Sequence, residues 1–228
     1  MPAYNEQDGI EAAISEVRSS ILDKVDSSFL LVVNDGSTDT TGTTLDRLAS
    51  TDSRIQVAHR SNSGHGPTLV WALNQAESEY VFLIDSDMQI ALDCFQEFWQ
   101  IIREKNVDGV FGVRAERHDP AFRRFLSKFI SLTLSGIFKV KVQDANAPCK
   151  LFRRTIWNDL YQRIQDDTLM APSLVIAIFA ERRNYKIVRI PIVHRERQHG
   201  TSTLRFGKLM RFCWKAFGQV LTIKDRLE

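Results

Sequence analysis

The most informative part of the sequence is the stretch Tyr80-Val81-Phe82-Leu83-Ile84-Asp85-Ser86-Asp87-Met88-Gln89. Its apolar run predicts a buried strand, and oxygen-bearing side chains follow at every second position. Because alternate side chains of an extended segment point the same way, we predict that Asp85, Asp87 and Gln89 converge beyond the strand. Hard oxygen ligands suit Mg²⁺ or Mn²⁺, which keep open positions for substrate phosphates. The stretch therefore predicts a metal site for a diphosphate; a turn or helix cap is the alternative.

Helix and strand patterns alternate on both sides of this stretch. Helical spacing runs from Ile10 to Ile21, strands are predicted at Phe29–Val33, Ile55–Ala58 and Val110–Val113, and a helix is predicted to begin at Pro67. Such alternation predicts an α/β fold with a mainly parallel central sheet flanked by helices. Ligands bind such sheets beyond the carboxyl ends of the strands, where the carboxylates would lie.

Composition narrows the class of protein. The three cysteines, Cys94, Cys149 and Cys213, are odd in number and lie in apolar surroundings, which indicates buried thiols in a reducing compartment. No apolar run approaches the ~20 residues that cross a bilayer, and no basic leader with an apolar stretch is present. We therefore expect a cytoplasmic protein whose membrane contact is peripheral.

Charge is distributed unevenly along the chain. Residues 1–100 hold 5 Lys and Arg against 16 Asp and Glu, whereas residues 101–228 hold 25 against 12. An acidic half for a cation and a basic half for an anionic partner would produce this asymmetry. Solvation of helical faces accounts for many of the basic residues, and we expect no nucleic-acid partner.

Two basic, aromatic-bearing segments stand out in the second half. Phe122–Phe138 and Leu204–Ile223 have helical amphipathic patterns with interspersed Lys and Arg. Such helices can lie on an anionic membrane surface, whereas core packing or dimerisation would produce the same pattern. Both interpretations, including a homo-oligomer, stay open.

Three loops supply further candidate binding residues. Asp35, after the second predicted strand, could accept hydrogen bonds from a base or ribose with Tyr4 packed beside it, although turn chemistry is the alternative. Segment 62–67 could present backbone amides and a helix start to phosphate. Segment 195–202, which ends in Ser202, mixes cations, hydroxyls and a glycine as a loop that closes over phosphates would.

The ordered motifs PAYNE, VNDGSTD, GHGP, DSDMQ, GVR, DANAPCKLF and RQHGTS resemble those of family 2 glycosyltransferases. The likeness runs from Pro2 to about Thr203 and is strongest to the branch of dolichyl-phosphate mannose synthase and bacterial polyprenyl-phosphate sugar transferases. It implies a GT-A fold, a nucleotide-diphosphate sugar donor such as a UDP- or GDP-hexose, a divalent metal and inversion at the anomeric carbon. We accordingly expect a GT-A domain at 1–203, divided into a nucleotide and metal half at 1–115 and an acceptor half at 116–203. An amphipathic helix at 204–228 would follow.

The resemblance also assigns roles residue by residue. The metal and catalytic roles fall on the stretch quoted first, with Asp87 facing the diphosphate. Positions that match nucleotide-sugar contacts are Pro2, Tyr4, Glu6, Asp35, Asp85 and Ser86, and positions that match acceptor-phosphate contacts are Arg114, Lys128 and Arg197, with Ser202 in the same late loop.

Three departures from the family pattern affect these expectations. We expect the apolar strand that normally precedes PAYNE to be missing, because the sequence starts at Met1, so that either the chain is shortened or the sheet closes differently. Lys128 replaces the usual Arg, so that a point charge stands in for a bidentate fork. Ala147-Pro148-Cys149 stands where relatives have Ser-Gly-Phe, which would alter the acceptor pocket.

The function expected from the sequence is metal-dependent transfer of a hexose to a dolichyl- or undecaprenyl-type polyprenyl phosphate at the inner face of a membrane, in cell-envelope glycan synthesis. One alternative keeps the donor but uses a sugar or glycan hydroxyl, which would need a general base, for which Asp144 is the candidate. A turn or cap role for Asp144 is open as well. The other alternative is a donor-binding scaffold that has lost catalysis.

Overall fold

The computed structural model describes residues 1–114, 132–140, 144, 147, 149–195 and 206–227. Its first half contains β1 (Pro2–Ala3), α1 (Ile10–Val17), a π-helical turn (Arg18–Leu22), β2 (Leu30–Asp35), α2 (Thr41–Thr51), β3 (Ile55–Arg60), α3 (His65–Gln75), β4 (Tyr80–Leu83), a 3-10 turn (Leu92–Cys94), α4 (Phe95–Glu104) and β5 (Gly109–Arg114). The second half contains α5 (132–138), β6 (Lys150–Arg153), α6 (Arg154–Ile164), α7 (Pro172–Arg182), β7 (Ile187–Ile192), α8 (Phe206–Thr222) and a 3-10 turn (Lys224–Leu227).

The strands of the described residues form two sheets, and parallel pairing dominates the first. β1, β2 and β3 are all parallel, in that order. The second sheet has the order β4, β6, β5, β7, in which β6 runs antiparallel to β4 and β5 while β5 and β7 are parallel. The loops that follow β1, β2 and β3 therefore leave the same edge of their sheet, where the sequence places its nucleotide motifs.

The expected absence of the first strand is wrong in part. Pro2 and Ala3 form a short β1 that pairs with Val33 and Asn34 of β2. Met1 continues this pairing, because its amino group donates to the Leu31 carbonyl at 2.9 Å and its carbonyl accepts from the Val33 amide at 2.9 Å. The PAYNE motif thus leaves the edge of the sheet directly from a strand.

Apolar periodicity determines which faces the helices bury. In α1, Ile10, Ala13, Ile14 and Val17 are buried at the spacing of one helical face, against a β2 whose Val32 is fully buried. Helix α7 is different, because Val175 to Ala180 are buried without interruption. A helix that is apolar all round belongs inside a core, and α7 packs in one cluster with residues of α3, α5, α6 and α8.

Several element boundaries differ from those expected. Helix α3 begins at His65, two residues before Pro67, and the short helix expected around Leu45 and Leu48 runs over Thr41–Thr51. Of the helix expected at Phe122–Phe138, residues 132–138 are described as helical and residues 122–131 lie outside the described part. Among the described residues, no helix is both long and apolar enough to cross a bilayer.

Candidate active site

Side-chain hydrogen bonds join the loops that follow β1 and β2. Asn5 has a left-handed backbone (φ 53°), its amide donates to Ser37 Oγ at 3.0 Å, and its Oδ1 accepts from the Thr38 amide at 2.8 Å. The Glu6 amide donates to Thr41 Oγ1 at 2.9 Å. Of the other residues expected to contact nucleotide, Pro2 is buried in β1, Tyr4 is exposed, and Glu6 is half-buried in the joined loop. The two motifs form one continuous rim.

Asp35 connects this rim to the loop that follows β3. Its Oδ1 accepts from the Ser63 amide at 2.8 Å and its Oδ2 accepts from the Gly64 amide at 2.9 Å. The neighbouring Gly36 has φ +70°, and a Cβ there would lie 2.6 Å from the Asn62 amide, so only glycine permits this approach. Asp35 is thus 3% exposed and organises the loop after β3, whereas the sequence suggested that it would face a base or ribose.

The loop that follows β4 carries the predicted metal residues, but not in the expected geometry. β4 ends at Leu83, residues 86 and 87 form a bend, and Met88 has a left-handed backbone (φ 54°). The Gln89 amide donates to Asp87 Oδ1 at 3.2 Å, and Ser86 is buried. The chain is therefore not extended from Asp85 to Gln89, and the period-two alternation of a strand does not apply to these side chains. A turn in which the Asp87 carboxylate accepts from the Gln89 amide takes the place of the expected strand end.

His65 reaches Asp85, a contact that the sequence analysis missed. His65 Nε2 lies 2.9 Å from Asp85 Oδ1. Burial alone would raise the pKa of Asp85, but the charge and hydrogen bond of His65, with the nearby positive charges of the N-terminus and Lys150, together lower it below its usual value. Burial alone would lower the pKa of His65, but the charge and hydrogen bond of Asp85, with the charge of Asp87, together raise it. The first residue of α3 thus holds the first carboxylate of the loop in its charged form.

Two adjoining cavities share Asp85 in their walls. The larger, about 90 Å³, is lined on one side by His65, Asp85 and Ile84, and on the other by Ser173 of α7 and Phe212 of α8. The smaller is lined by Asp85, Asp87 and Met88 with Glu16 of α1. Asp85 therefore stands at the junction of the two halves of the chain.

The carboxylates fit a divalent cation that shares its coordination with a ligand. Among the described residues no group of three His, Cys, Asp or Glu side chains is placed to hold a metal. His65 contacts Oδ1 of Asp85, and within that same part of the chain no hydrogen bond reaches Oδ2. Asp85 Oδ2 and Asp87 would be the protein ligands, and hard cations such as Mg²⁺ complete their shell with water and substrate phosphate.

Arg114 and Asp144, which the sequence assigned to separate roles, form one ion pair. Arg114 Nη2 donates to Asp144 Oδ1 at 2.7 Å, and its Nε and amide donate to Oδ2 at 3.0 and 2.9 Å. The side chains are 17% and 5% exposed. Such a two-pronged geometry is the strong form of an Arg–carboxylate contact. Asp144 is accordingly engaged with Arg114, and its left-handed backbone (φ 42°) matches the turn that the sequence left open.

Lys150 is a second residue that the sequence analysis did not assign to the site. Its side chain is 1% exposed, and its Nζ donates to the Ala147 carbonyl and, at 2.7 Å, to Ser173 Oγ. Burial lowers the pKa of Lys150 to about 7, against the opposing attraction of Asp144 and the weaker influence of Asp85. It ties β6 to α7 at the wall of the larger cavity. A charged residue at the start of an apolar strand gave no signal that it would be buried.

Lys128, Arg197 and Ser202 lie outside the described residues. Arg195, at the start of the late basic loop, donates its amide to the Gln89 carbonyl at 2.7 Å, and residue 194 bridges residue 90. The beginning of that loop is therefore attached next to the carboxylate turn.

The comparisons with known proteins agree with this arrangement. The family model described as Glycosyl transferase family 2 matches residues 1–163. The chain therefore belongs to glycosyltransferase family 2, an enzyme family.

Curated relatives share one description. The chain is 28% identical over 206 residues to an undecaprenyl-phosphate 4-deoxy-4-formamido-L-arabinose transferase of Pseudomonas fluorescens, covering 89% of this chain and 58% of the relative. It is 24% identical over 231 residues to a protein of the same description from Proteus mirabilis, covering 100% of this chain and 68% of the relative. The chain thus spans about three fifths to two thirds of these relatives.

Solved structures show the fold. Glucosyl-3-phosphoglycerate synthase from Mycobacterium tuberculosis, solved with Mn²⁺, UDP-glucose and glycerol 3-phosphate, superposes with a TM-score of 0.63 at 17% identity, over 97% of this chain and 77% of that one. S. aureus TarS 1–349 in complex with UDP superposes with a TM-score of 0.58 at 22% identity, over 99% of this chain and 67% of that one. The fold is GT-A, as the sequence predicted.

Proposed function

We propose that this chain transfers a hexose from a UDP- or GDP-sugar to a polyprenyl phosphate, with inversion and with Mg²⁺ or Mn²⁺ bound at Asp85 and Asp87. The observation that carries the proposal is the position of Asp85, in the wall of both cavities and held in its charged form by His65. The structural relative solved with Mn²⁺ and UDP-glucose, and the curated relatives described as undecaprenyl-phosphate sugar transferases, support donor and acceptor respectively.

The donor side would work by charge. Cleavage of the bond between sugar and diphosphate places negative charge on the leaving nucleoside diphosphate, and a bound divalent cation supplies the compensating charge there. Asp85 Oδ2 and Asp87 would hold that cation, while the joined rim of loops 4–9 and 36–41 would bind the nucleoside. Tyr4, which is exposed on that rim, is available to pack against the base.

The acceptor side favours a phosphate over a hydroxyl. A hydroxyl acceptor needs a general base, and both oxygens of Asp144 accept hydrogen bonds from Arg114. A phosphomonoester has a second pKa of about 6 and is largely ionised at neutral pH, so it attacks without such help. Arg114 and the predicted contacts Lys128, Arg197 and Ser202 would supply positive charge and hydroxyl groups for it.

A peripheral membrane contact fits the outer face of α8. Trp214 is 79% exposed, and Met210 and Leu221 are exposed on the same face, with Arg211 and Lys215 beside them. On the opposite face Val220 packs in the same apolar cluster as α7 and Ala216 is buried, so the outer residues face away from the core. Aromatic and basic residues on one helix face suit an anionic bilayer surface.

The test is a transfer assay with labelled UDP- and GDP-hexoses, Mn²⁺, and either polyprenyl phosphate or free sugars and glycans as acceptor. We expect metal-dependent product only with polyprenyl phosphate. Product with a hydroxyl acceptor and none with the lipid would replace the acceptor assignment. Metal-dependent donor binding in calorimetry without product from any acceptor would favour the scaffold alternative. Co-sedimentation with phosphatidylglycerol vesicles, weaker for Trp214→Ser, tests the membrane contact separately.

A further inference from the structure

Two thiols lie side by side between the carboxylate turn and the acceptor-side charges. Cys94 closes the 3-10 turn before α4, Cys149 immediately precedes β6, and their Sγ atoms are 3.9 Å apart although 55 residues separate them. Both are free thiols in this structure. Nothing in the transfer reaction uses either of them.

The two thiols differ in accessibility and acidity. Cys94 is partly exposed, and its hydrogen bond with Cys149 lowers the pKa of Cys94 against the opposing effect of burial. Cys149 is buried, and the same hydrogen bond together with burial raises its pKa well above the usual value. Since the thiolate is the reactive form, Cys94 is the member that would react first with a reagent from solvent.

The positions of the two cysteines link them to the site. Cys149 precedes Lys150, whose ammonium group holds Ala147 and Ser173, and the Cys149 carbonyl accepts from the Gly112 amide at 2.8 Å. Residues 90 and 91 come directly after the carboxylate turn and pair with residues 194 and 193. Cys94 lies three residues further along the same segment. A covalent bond between the sulfurs would therefore join the segment leaving Asp87 to the segment carrying Lys150.

We propose that Cys94 and Cys149 form an oxidant-sensitive dithiol, which a hydroperoxide converts to an intramolecular disulfide. The Cys94 thiolate attacks one peroxide oxygen, the O–O bond breaks, and Cys94 becomes a sulfenic acid while the leaving oxygen takes a proton. The Cys149 sulfur then displaces the hydroxyl group of the sulfenic acid, which departs as water with the Cys149 proton. Two thiols are oxidised and one hydroperoxide is reduced.

Closing the bond requires movement in the site. The sulfurs must approach from 3.9 Å to the bonded distance of about 2.05 Å. Cys149 is held by the Gly112 amide and by close packing, since a Cβ at Gly112 would lie 3.1 Å from the Cys149 Cβ. Any displacement of Cys149 is carried to its neighbour Lys150, and any displacement of Cys94 is carried back to residues 90 and 91 beside the carboxylate turn. The effect of such movement on turnover rests on the proposed transfer reaction, and a shift of about 1 Å in such a site can cost about 10²-fold in rate.

The first experiment follows the thiols alone. Purified chain is treated with hydrogen peroxide, alkylated and analysed by intact mass and peptide mapping, with Cys213→Ala as the control because burial raises the pKa of that thiol on a separate helix. We expect wild type and Cys213→Ala to lose two hydrogen atoms and to yield a linked Cys94–Cys149 peptide pair, which dithiothreitol reverses. Cys94→Ala, altered at the partly exposed member, should form no such link. Oxidation of Cys94 to sulfinic acid without a link, or both thiols unmodified, would overturn the proposal.

The second experiment measures transfer before and after oxidation. We expect the rate of the oxidised Cys213→Ala variant to fall by about 10²-fold and to return with dithiothreitol, while Cys94→Ala keeps its rate in peroxide. A linked protein that transfers at the unoxidised rate would overturn the regulatory part. If the protein forms the link but shows no transfer either before or after oxidation, the result counts against the proposed function. The dithiol assignment is then still supported, because the mass result does not depend on turnover.

Discussion

The rim that would bind the donor and the wall that would face the acceptor are held together by different interactions. The rim of loops 4–9 and 36–41, together with the adjoining residues 62–64, is held by hydrogen bonds between backbone amides and short polar side chains. The acceptor wall, formed by Arg114, Asp144 and Lys150, is held by charges that are nearly buried. A polar loop tolerates the loss of one contact, whereas a buried charge left without its partner is costly. The two sides should therefore respond differently to substitution.

Breaking the Arg114–Asp144 pair should have the largest effect. Arg114→Ala leaves the carboxylate of Asp144, 5% exposed, without its guanidinium, and we expect the free energy of unfolding to fall by about 3–5 kcal/mol. Urea denaturation monitored by circular dichroism measures this. The double variant Arg114→Ala/Asp144→Ala should recover most of the loss, because it also removes the buried carboxylate that has lost its guanidinium. Equal stability of Arg114→Ala and wild type would show that the pair is not a structural element of the acceptor wall.

Between the two sides, Asp87 should affect turnover with little effect on stability. For Asp87→Ala we expect kcat to fall by about 10²- to 10³-fold, the usual cost of removing one group that stabilises developing charge. The matched control is Asp93→Asn, a nearby carboxylate whose side chain is 88% exposed. Thermal unfolding of Asp93→Asn should match wild type, and Asp87→Ala should lose only the stability of the hydrogen bond from the Gln89 amide, about 1 kcal/mol. A full rate for Asp87→Ala would remove the metal assignment from the turn.

Asp35 tests the donor rim. Asp35→Ala leaves the amides of Ser63 and Gly64 without their acceptor, and we expect a loss of about 1–3 kcal/mol in the free energy of unfolding. Donor binding by calorimetry should weaken as well, because the loop after β3 loses its anchor. Asp46→Asn, at a carboxylate that is 64% exposed, is the control and should change stability by less than about 1 kcal/mol. If Asp35→Ala weakens donor binding without loss of stability, Asp35 contacts the nucleotide directly.

Lys150 gives the acceptor wall a pH dependence. The pKa of Lys150 is about 7 in the folded chain and 10.5 is its ordinary value, so between these two pH values the unfolded chain binds the extra proton. Stability from this residue therefore rises with pH above 7, and below 7 both states are charged. From pH 7 to pH 8 we expect a gain of about 1 kcal/mol, absent in Lys150→Met. Denaturation of both variants across this range gives the difference, and parallel curves would mean that the ammonium group is not desolvated.

The smallest effect should come from an exposed ion pair near the rim. Arg47 and Glu11 are in contact at 2.6 Å, but their side chains are 56% and 62% exposed. Because water and side-chain entropy cancel most of such a contact, Arg47→Gln should change the free energy of unfolding by about 0–1 kcal/mol. A loss larger than that of Asp35→Ala in the same denaturation assay would mean that this exposed ion pair contributes more to stability than the hydrogen bonds of the rim do.

Much of the donor side could be predicted from sequence because its parts are local. The apolar run before Asp85 marks β4, and the polar loops follow their strands in the expected order. The geometry of the carboxylate turn could not be predicted in this way. Period-two alternation applies only while the chain stays extended, and the chain turns at Met88, where the backbone is left-handed.

The acceptor side was assigned less well, because its contacts join residues far apart in sequence. Arg114 and Asp144 each matched a separate motif, and only the folded chain shows them as a pair across 30 residues. His65 and Lys150 lie in quoted motifs but received no role of their own, since nothing local indicates that Asp85 or Ser173 will be their partners. The assignments of Lys128, Arg197 and Ser202, and the division of the chain at residue 203, stay predictions.

The sequence by itself determined the alternation of strands and helices, the motifs that identify the family and the presence of two carboxylates after β4. These follow from local periodicity and from residue type, which need no knowledge of distant parts of the chain. Only the tertiary structure decided which charges are paired, which thiols are neighbours and which way the carboxylate turn faces. Pairing and burial depend on distances between segments that meet only when the sheet and its helices pack, and it is burial that gives a charge or a thiol its energy and its reactivity.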